Sequence, residues 1–211
     1  AVYPQTEEQY QSLVGPLYVS LRGHYPLTFW FTQELSTDES ILPAFGGNWY
    51  DGNKYHELHT HEWTKDNAWI NTEWSDVTGL IGLCNQTLYL FKSMADGDQK
   101  NTSLAEIRTI RAYAYWEMMD NFGGVPLVTE ELNASSKLDV PRNTAEEVRK
   151  QITADLTEAA AVLPVAWSST SDLGRATKGA ALAYLAKVYL WEKNWPGVIT
   201  ASEDIINSKA Y

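Results

Sequence analysis

Lys178-Gly-Ala-Ala-Leu182-Ala-Tyr-Leu185-Ala186-Lys-Val-Tyr189-Leu-Trp191-Glu-Lys-Asn-Trp195-Pro196 is the stretch that decides the fold. It predicts one helix from about Thr177 to Glu192 and a second from Pro196 to about Asn207, with Pro196 at a first-turn position where its missing N–H costs nothing. Ala180, Ala181, Ala183 and Ala186 are small enough to let a neighbouring helix approach closely. Leu185-Ala186 followed by Tyr189 sets a large apolar residue, a small one and an aromatic in order, and Trp195 supplies an aromatic after the turn. That order matches a tetratricopeptide unit. A single helical hairpin cannot bury both of its faces, so such pairs stack on one another.

Working back along the chain, helical periodicity recurs. Ser103 with Glu106 three residues later reads as a capping box, opening a helix through Ile107, Ile110, Ala114 and Met118 to Phe122, ended by Gly123-Gly124. Val125 to Val128 is extended and a polar loop follows. Thr144 with Glu147 opens another helix, through Val148, Ile152, Leu156 and Ala159 to Leu163, stopped by Pro164. These two helices pair as a second, weaker repeat unit with a long insertion. The polar loop Ser168–Gly174 precedes the last pair. Earlier, Trp69, Ile70, Trp74, Val77, Ile81, Cys84, Leu88 and Phe91 recur at three- and four-residue spacing, a helix beginning at Asp66 and closed by Asp96-Gly97-Asp98. Thr6 to Arg22 reads as the first helix, interrupted at Gly15-Pro16.

Between the first two helices, from Gly23 to about Asn67, the helical period is lost. Pro26, Pro43, Gly46, Gly47, Asn48, Asp51, Gly52 and Asn53 punctuate this stretch, and Tyr25, Phe29, Trp30, Phe31, Phe45, Trp49, Tyr50, Tyr55 and Trp63 are threaded between them. A loop this long is functional or disordered, and its rings argue against disorder. The expected architecture is mainly α, a tetratricopeptide-like helical repeat scaffold with a long aromatic-rich loop between the first two helices. No segment reads as a sheet.

Composition narrows the function. The chain has 211 residues, 44% of them apolar, and a formal net charge of −11, which disfavours nucleic acid and anionic lipid as partners. Cys84 is the sole cysteine, so neither an internal disulfide framework nor a thiolate zinc cluster is available; it sits on an apolar helical stripe as a small buried hydrophobe. The longest apolar run, Gly179–Trp191, is too short to span a bilayer and contains Lys187. No signal peptide is expected at Ala1.

The nine Trp stand out. Trp69 and Trp74 lie on an apolar helical stripe and are assigned to core; Trp116, Trp191 and Trp195 are assigned to scaffold packing. In the loop, Trp49, Tyr50 and Trp63 are candidate platforms for sugar C–H faces, because flat rings have few torsions to immobilise. Asp38, Asp51 and Asn67 are the candidate hydrogen-bonding edges for sugar hydroxyls. The alternative for each ring is that it folds back to pin the loop.

Enzymatic readings find less. His56, Glu57, His59, His61 and Glu62 cluster, and in an extended chain His59 and His61 share a face, but no His-Glu-x-x-His pattern is present. There is neither a Gly-x-Ser-x-Gly elbow nor a Gly-Lys-Ser/Thr phosphate loop. Glu34 and Asp38 are the nearest thing to a glycosidase pair. Asp139–Glu158 reads as an amphipathic helix with a solvated face.

Glu106-Ile-Arg108-Thr-Ile-Arg111-Ala-Tyr-Ala-Tyr115-Trp116, running on to Asn121-Phe-Gly-Gly-Val-Pro-Leu-Val128, resembles the signature of the SusD/RagB family. Gly174-Arg175-Ala-Thr177-Lys-Gly-Ala-Ala181, leading into Leu185-Ala-Lys-Val-Tyr-Leu190, is similar to its second hallmark. A third stretch, from Asp38-Glu39 through Gly46-Gly-Asn-Trp-Tyr-Asp-Gly52 to His61-Glu-Trp63, is similar to the loop before the family's third helix. The resemblance spans essentially all of residues 1–211. It implies a tetratricopeptide scaffold and a non-catalytic lipoprotein of the Bacteroidetes outer membrane, exposed at the cell surface. It also implies capture of nutrient oligosaccharides and their delivery to a SusC-like TonB-dependent transporter, without metal, cofactor or nucleic acid. Family members are longer, so residues 1–211 are expected to be the N-terminal portion of the fold. The C-terminal part of the ligand site, and the lipidated cysteine through which the full-length protein would meet the membrane, are expected to lie off this chain. The alternatives are an oligopeptide-capturing RagB-like protein, a tetratricopeptide interaction scaffold and a hydrolase.

Overall fold

A computed structural model of the chain describes residues 3–129 and 139–211. The expected polar loop after Val128 lies largely outside the described residues. The described residues contain helices and no strand; two isolated β-bridges, Phe45 with Asn48 and Pro126 with Arg142, are the extended pairings among them.

The chain forms two compact units, Ala1–Leu17 with Ile81–Tyr211, and Tyr18–Leu80. The divisions fall inside α2 (Gly15–His24) and α5 (Ala68–Phe91).

The first unit contains α1 (Glu7–Ser12), α6 (Asp98–Phe122), α7 (Ala145–Val162), α8 (Lys178–Trp191) and α9 (Trp195–Ser208). Thr6 caps α1 through a capping box closed by Gln9, and Thr144 caps α7 through one closed by Glu147. Thr177 caps α8, and Pro196 lies in the first turn of α9. Helix α6 packs on α7, α7 on α8 and α8 on α9, the serial stacking expected of tetratricopeptide-like pairs. Ile107, Ile110, Ala114 and Met118 of α6 and Val148, Ile152, Leu156 and Ala159 of α7 are all buried, and Ala181, Leu185, Val188 and Ala201 continue the core.

Helix α6 begins at Asp98, a turn and more before the expected start at Ser103, so Ser103 and Glu106 are interior, fully buried positions. Glu106 is not a cap because its carboxylate is held by another partner. Arg175 clamps it with Nε at 2.9 Å and Nη2 at 2.5 Å. Arg175 also binds Asp172 at 2.8 Å and lies over the Trp167 ring, 3.9 Å from its centre. A second buried pair joins α6 to α7: Arg111 grips Asp155 through Nε and Nη2 at 2.8 and 2.7 Å and reaches Asn85 Oδ1 at 2.8 Å. Burial pushes the Asp155 carboxyl up while Arg111 pulls it down. Asn85 and the Tyr115 hydroxyl both donate to the Val128 carbonyl, at 2.8 and 2.7 Å, fixing the extended segment; burial pushes the Tyr115 phenol up to about 12. A Cβ on Gly124 would run into the Asn143 carbonyl oxygen, which explains why that position lacks one.

The scaffold assignment holds for Trp116 and needs correction for Trp191 and Trp195. Trp116 is half-buried between Tyr113 and Tyr184, under the Lys187 ammonium. Trp191 and Trp195 are more than half exposed; Trp191 is covered on one face by Arg149.

The second unit departs further from expectation. The chain does not leave helical structure at Gly23. Helix α2 runs to His24, a π-helical turn spans Tyr25–Phe29, and α3 (Trp30–Glu34) follows, with helical backbone at each junction. Pro26 falls in the first turn of the π segment, whose wider winding accommodates a residue with no N–H to donate. Irregular chain occupies only 35–50, before a short 3₁₀ turn (Asp51–Asn53) and α4 (Lys54–Thr60). Asp76 holds the start of this run to α5, accepting from Thr28 Oγ1 at 3.1 Å and lying 3.4 Å from His24 Nδ1.

Candidate functional site

The site is built around α4. Leu35, Tyr55 and Leu58 form a small buried core, with Phe31, Leu42, Trp69 and Ile70 packed against it. The rings interlock: Phe31 lies 4.5 Å from Trp69 and 5.2 Å from Tyr55, centre to centre, and Tyr55 lies 5.8 Å from Trp69. The Lys54 ammonium sits over both Tyr55 and Trp69, at 4.9 and 5.0 Å.

Trp49 rests on this cluster from outside, 6.1 Å from Tyr55, with 56% of its surface open. The backbone that delivers it is unusual. Phe45 and Asn48 exchange both main-chain hydrogen bonds at 3.0 Å across Gly46-Gly47. Trp49, Asp51, Gly52 and Asn53 then adopt positive φ of 61°, 42°, 68° and 70°. Glycine and asparagine tolerate that region, whereas for Trp49 it is a costly conformation of the kind that gathers at binding sites. The turn leaves Tyr50 half exposed and Asp51 exposed.

The other end of α4 carries Trp63. His61 caps the helix in the left-handed region, and its Nε2 donates to the Ser36 carbonyl at 2.7 Å. Trp63 packs edge-on against His61 at 5.2 Å and keeps 41% of its surface exposed. Asp38, two residues beyond Ser36, is exposed. Among the described residues, Asp38, Glu39 and Asp51 have no side-chain hydrogen bond or ion pair. Helix α4, seven residues and about 10 Å long, lies between Trp49 and Trp63 in the chain.

Asn67 does something other than the expected ligand contact. It is 3% exposed, and its amide is fully engaged. Oδ1 accepts from the Trp69 and Ile70 amides at 3.0 and 3.4 Å, capping α5. Nδ2 donates to the Lys54 carbonyl and to Glu57 Oε2, at 3.0 and 2.8 Å. Asn67 therefore fastens α4 to the start of α5 and positions the rings without presenting a polar edge.

The histidine cluster disperses once Lys54–Thr60 is helical. Glu57 binds Asn67, His61 binds Ser36, Glu62 accepts from Thr60 at 3.1 Å, and the buried His59 Nδ1 has no hydrogen-bond partner. No group of three His, Cys, Asp or Glu among the described residues is arranged to hold a metal ion.

Trp74, assigned to core from its spacing, is 38% exposed. Tyr25, Trp30 and Phe45, which the sequence reading did not put forward as site residues, are also exposed; Tyr25 stacks on Phe29 at 5.1 Å. With Trp49, Tyr50 and Trp63, the second unit holds seven open aromatic rings. The signal for Phe45 lay in its place beside Gly46-Gly47; Tyr25 and Trp30 gave none beyond residue type.

A SusD-like family model, described as "Starch-binding associating with outer membrane", matches residues 5–190. The chain belongs to the SusD-like family. A SusD-like protein of Bacteroides ovatus is 26% identical over 196 residues, covering 82% of this chain and 35% of the relative. SusD-like protein P2 of Formosa agariphila is 30% identical over 147 residues, covering 69% of this chain and 28% of the relative. Among solved structures, a laminarin-binding SusD-like protein superposes with a TM-score of 0.84 at 25% identity, covering 96% of this chain and 44% of that one. A SusD-like protein of Bacteroides fragilis gives 0.81 at 24% identity, covering 98% and 38%. The chain thus spans about a third of the length of these sequence relatives.

Proposed function

We propose that this SusD-like chain contributes the ring-bearing part of a non-catalytic oligosaccharide site, on a cell-surface protein that passes its ligand to a SusC-like TonB-dependent transporter. One observation carries the reading: Trp49 and Trp63 stand half-open at opposite ends of α4, each held from behind by another ring. Two separated platforms suit a chain of sugar rings better than a single small molecule. The free carboxylates of Asp38 and Asp51 and the exposed Tyr50 hydroxyl are placed to take sugar hydroxyls. Asn67 holds the platform together. Stacking and hydrogen bonding require neither nucleophile nor proton carrier, so capture without turnover is the expected outcome. Residues 1–211 are read as the N-terminal portion of the longer family fold.

The test is calorimetry of the full chain against a glycan panel that includes starch- and laminarin-type oligosaccharides, the ligands named for its relatives. Saturable binding that falls in Trp49→Ala and Trp63→Ala supports the reading. Binding to oligopeptides with none to any glycan overturns it in favour of peptide capture, and release of shortened products from a labelled glycan overturns the non-catalytic assignment.

A further inference from the structure

We propose that the surface formed by residues 31–67 selects uncharged oligosaccharides and rejects those carrying uronate or sulfate groups. The inference rests on the oligosaccharide reading above. Residues 31–67 contain seven Asp and Glu against two Lys, with no Arg. Both lysines are already engaged: Lys65 binds Asp66 at 2.6 Å, and the Lys54 ammonium covers Tyr55 and Trp69. The carboxylates beside the open rings have no such compensation. Asp38, Glu39 and Asp51 are exposed and lack ion-pair partners among the described residues, while Glu62, next to Trp63, is bonded to a neutral hydroxyl.

Two physical effects follow. A carboxylate accepts hydrogen bonds and cannot donate them, so it matches a sugar hydroxyl and mismatches a uronate or sulfate oxygen, which also only accepts. An anionic group brought onto either ring also meets a like charge close by in the chain, Asp51 beside Trp49 and Glu62 beside Trp63, and such repulsion acts over a screening length of about 8 Å at physiological salt. The chain's net charge of −11 supplies a background of the same sign. The rings set where a glycan lies; the carboxylates set which glycans can lie there.

The test compares maltohexaose and laminarihexaose with hexagalacturonate by calorimetry of the full chain, at about 20 mM and about 500 mM salt. A neutral hexaose should bind with little salt dependence. Hexagalacturonate should bind at least about tenfold more weakly at low salt, and the gap should narrow at high salt. The double variant E39K/E62K changes charge beside the platforms without touching a proposed ligand contact. It should raise hexagalacturonate affinity about tenfold at low salt and leave the neutral hexaose unchanged. Wild-type binding of hexagalacturonate equal to or tighter than a neutral hexaose overturns the selectivity while sparing the oligosaccharide reading. So does an unaltered hexagalacturonate affinity in E39K/E62K. Failure of all three sugars to bind overturns the oligosaccharide reading and the inference with it.

Discussion

Trp49, Trp63 and Asn67 show how differently single residues serve one surface. Trp49→Ala and Trp63→Ala each remove a ring that is at least two-fifths exposed, so each should weaken glycan binding by about 1 kcal/mol, roughly fivefold, with little effect on melting temperature. A large loss of stability with unchanged affinity would show that the rings serve the fold alone. Asn67→Ala should do the reverse. It deletes a helix cap and two further hydrogen bonds from a buried site, and should cost about 1–2 kcal/mol in denaturant unfolding. Asn67 is legible as polar in the sequence, but its partners Lys54 and Glu57 come from a helix hidden behind Gly52 and Asn53. The neighbours of a side chain depend on tertiary placement, which residue type does not reveal.

Helices with strong local signals are legible almost to the residue. Thr144 caps where its spacing from Glu147 says it should, and Thr6 and Thr177, read as helix starts, cap their helices. Ser103 fails the same rule because burial of Glu106 against Arg175 outweighs a local cap, letting α6 extend back to Asp98. The run Gly23–Glu34 is missed because Pro26 reads as a breaker, whereas a π turn absorbs it. Two predictions belong to these elements. Arg175→Ala removes a bidentate partner from the buried Glu106 carboxylate and should cost about 1–3 kcal/mol of stability, read as a fall in melting temperature. A change within error would remove this clamp from the fold's supports. The second concerns the N-terminus of α7. Hydrogen bonds from the Thr144 amide and hydroxyl hold the Glu147 carboxyl below its ordinary value. A carboxyl lowered in the folded state stabilises the helix start above its unfolded pKa, and that contribution is lost as pH falls through the folded value. Protection of the Thr144 amide against hydrogen exchange, corrected for intrinsic rate, should therefore fall on acidification from about pH 6 to about pH 3. Glu147→Gln should abolish the pH step; a step that persists in the variant must come from another group.

Over the whole molecule, the first two of the three stretches that carry the family resemblance prove to be structural, while the third bears Trp49 and Trp63. Arg111 from one reaches the buried Asp155, and Arg175 from the other clamps the buried Glu106, both within the first unit, while Trp49, Tyr50 and Trp63 belong to the second. Those two stretches thus mark the framework, and the residues proposed to meet the ligand lie in a stretch with weak local periodicity. Cys84 reports on that framework. It is fully buried and its thiol is pushed well above the ordinary range by burial, so a thiol reagent should leave it untouched in native buffer. Its labelling should rise with denaturant in step with loss of helicity, and rapid stoichiometric modification of the native chain would contradict the packing around α5. The seven exposed rings have a further consequence for how copies of the molecule meet one another. Uncovered aromatics invite self-adhesion, and like charge holds copies apart. On this balance the carboxylates around Trp49 and Trp63 serve as a colloidal stabiliser, and concentrated stocks of the chain should cloud as salt is raised, less so with the proposed sugar ligand present.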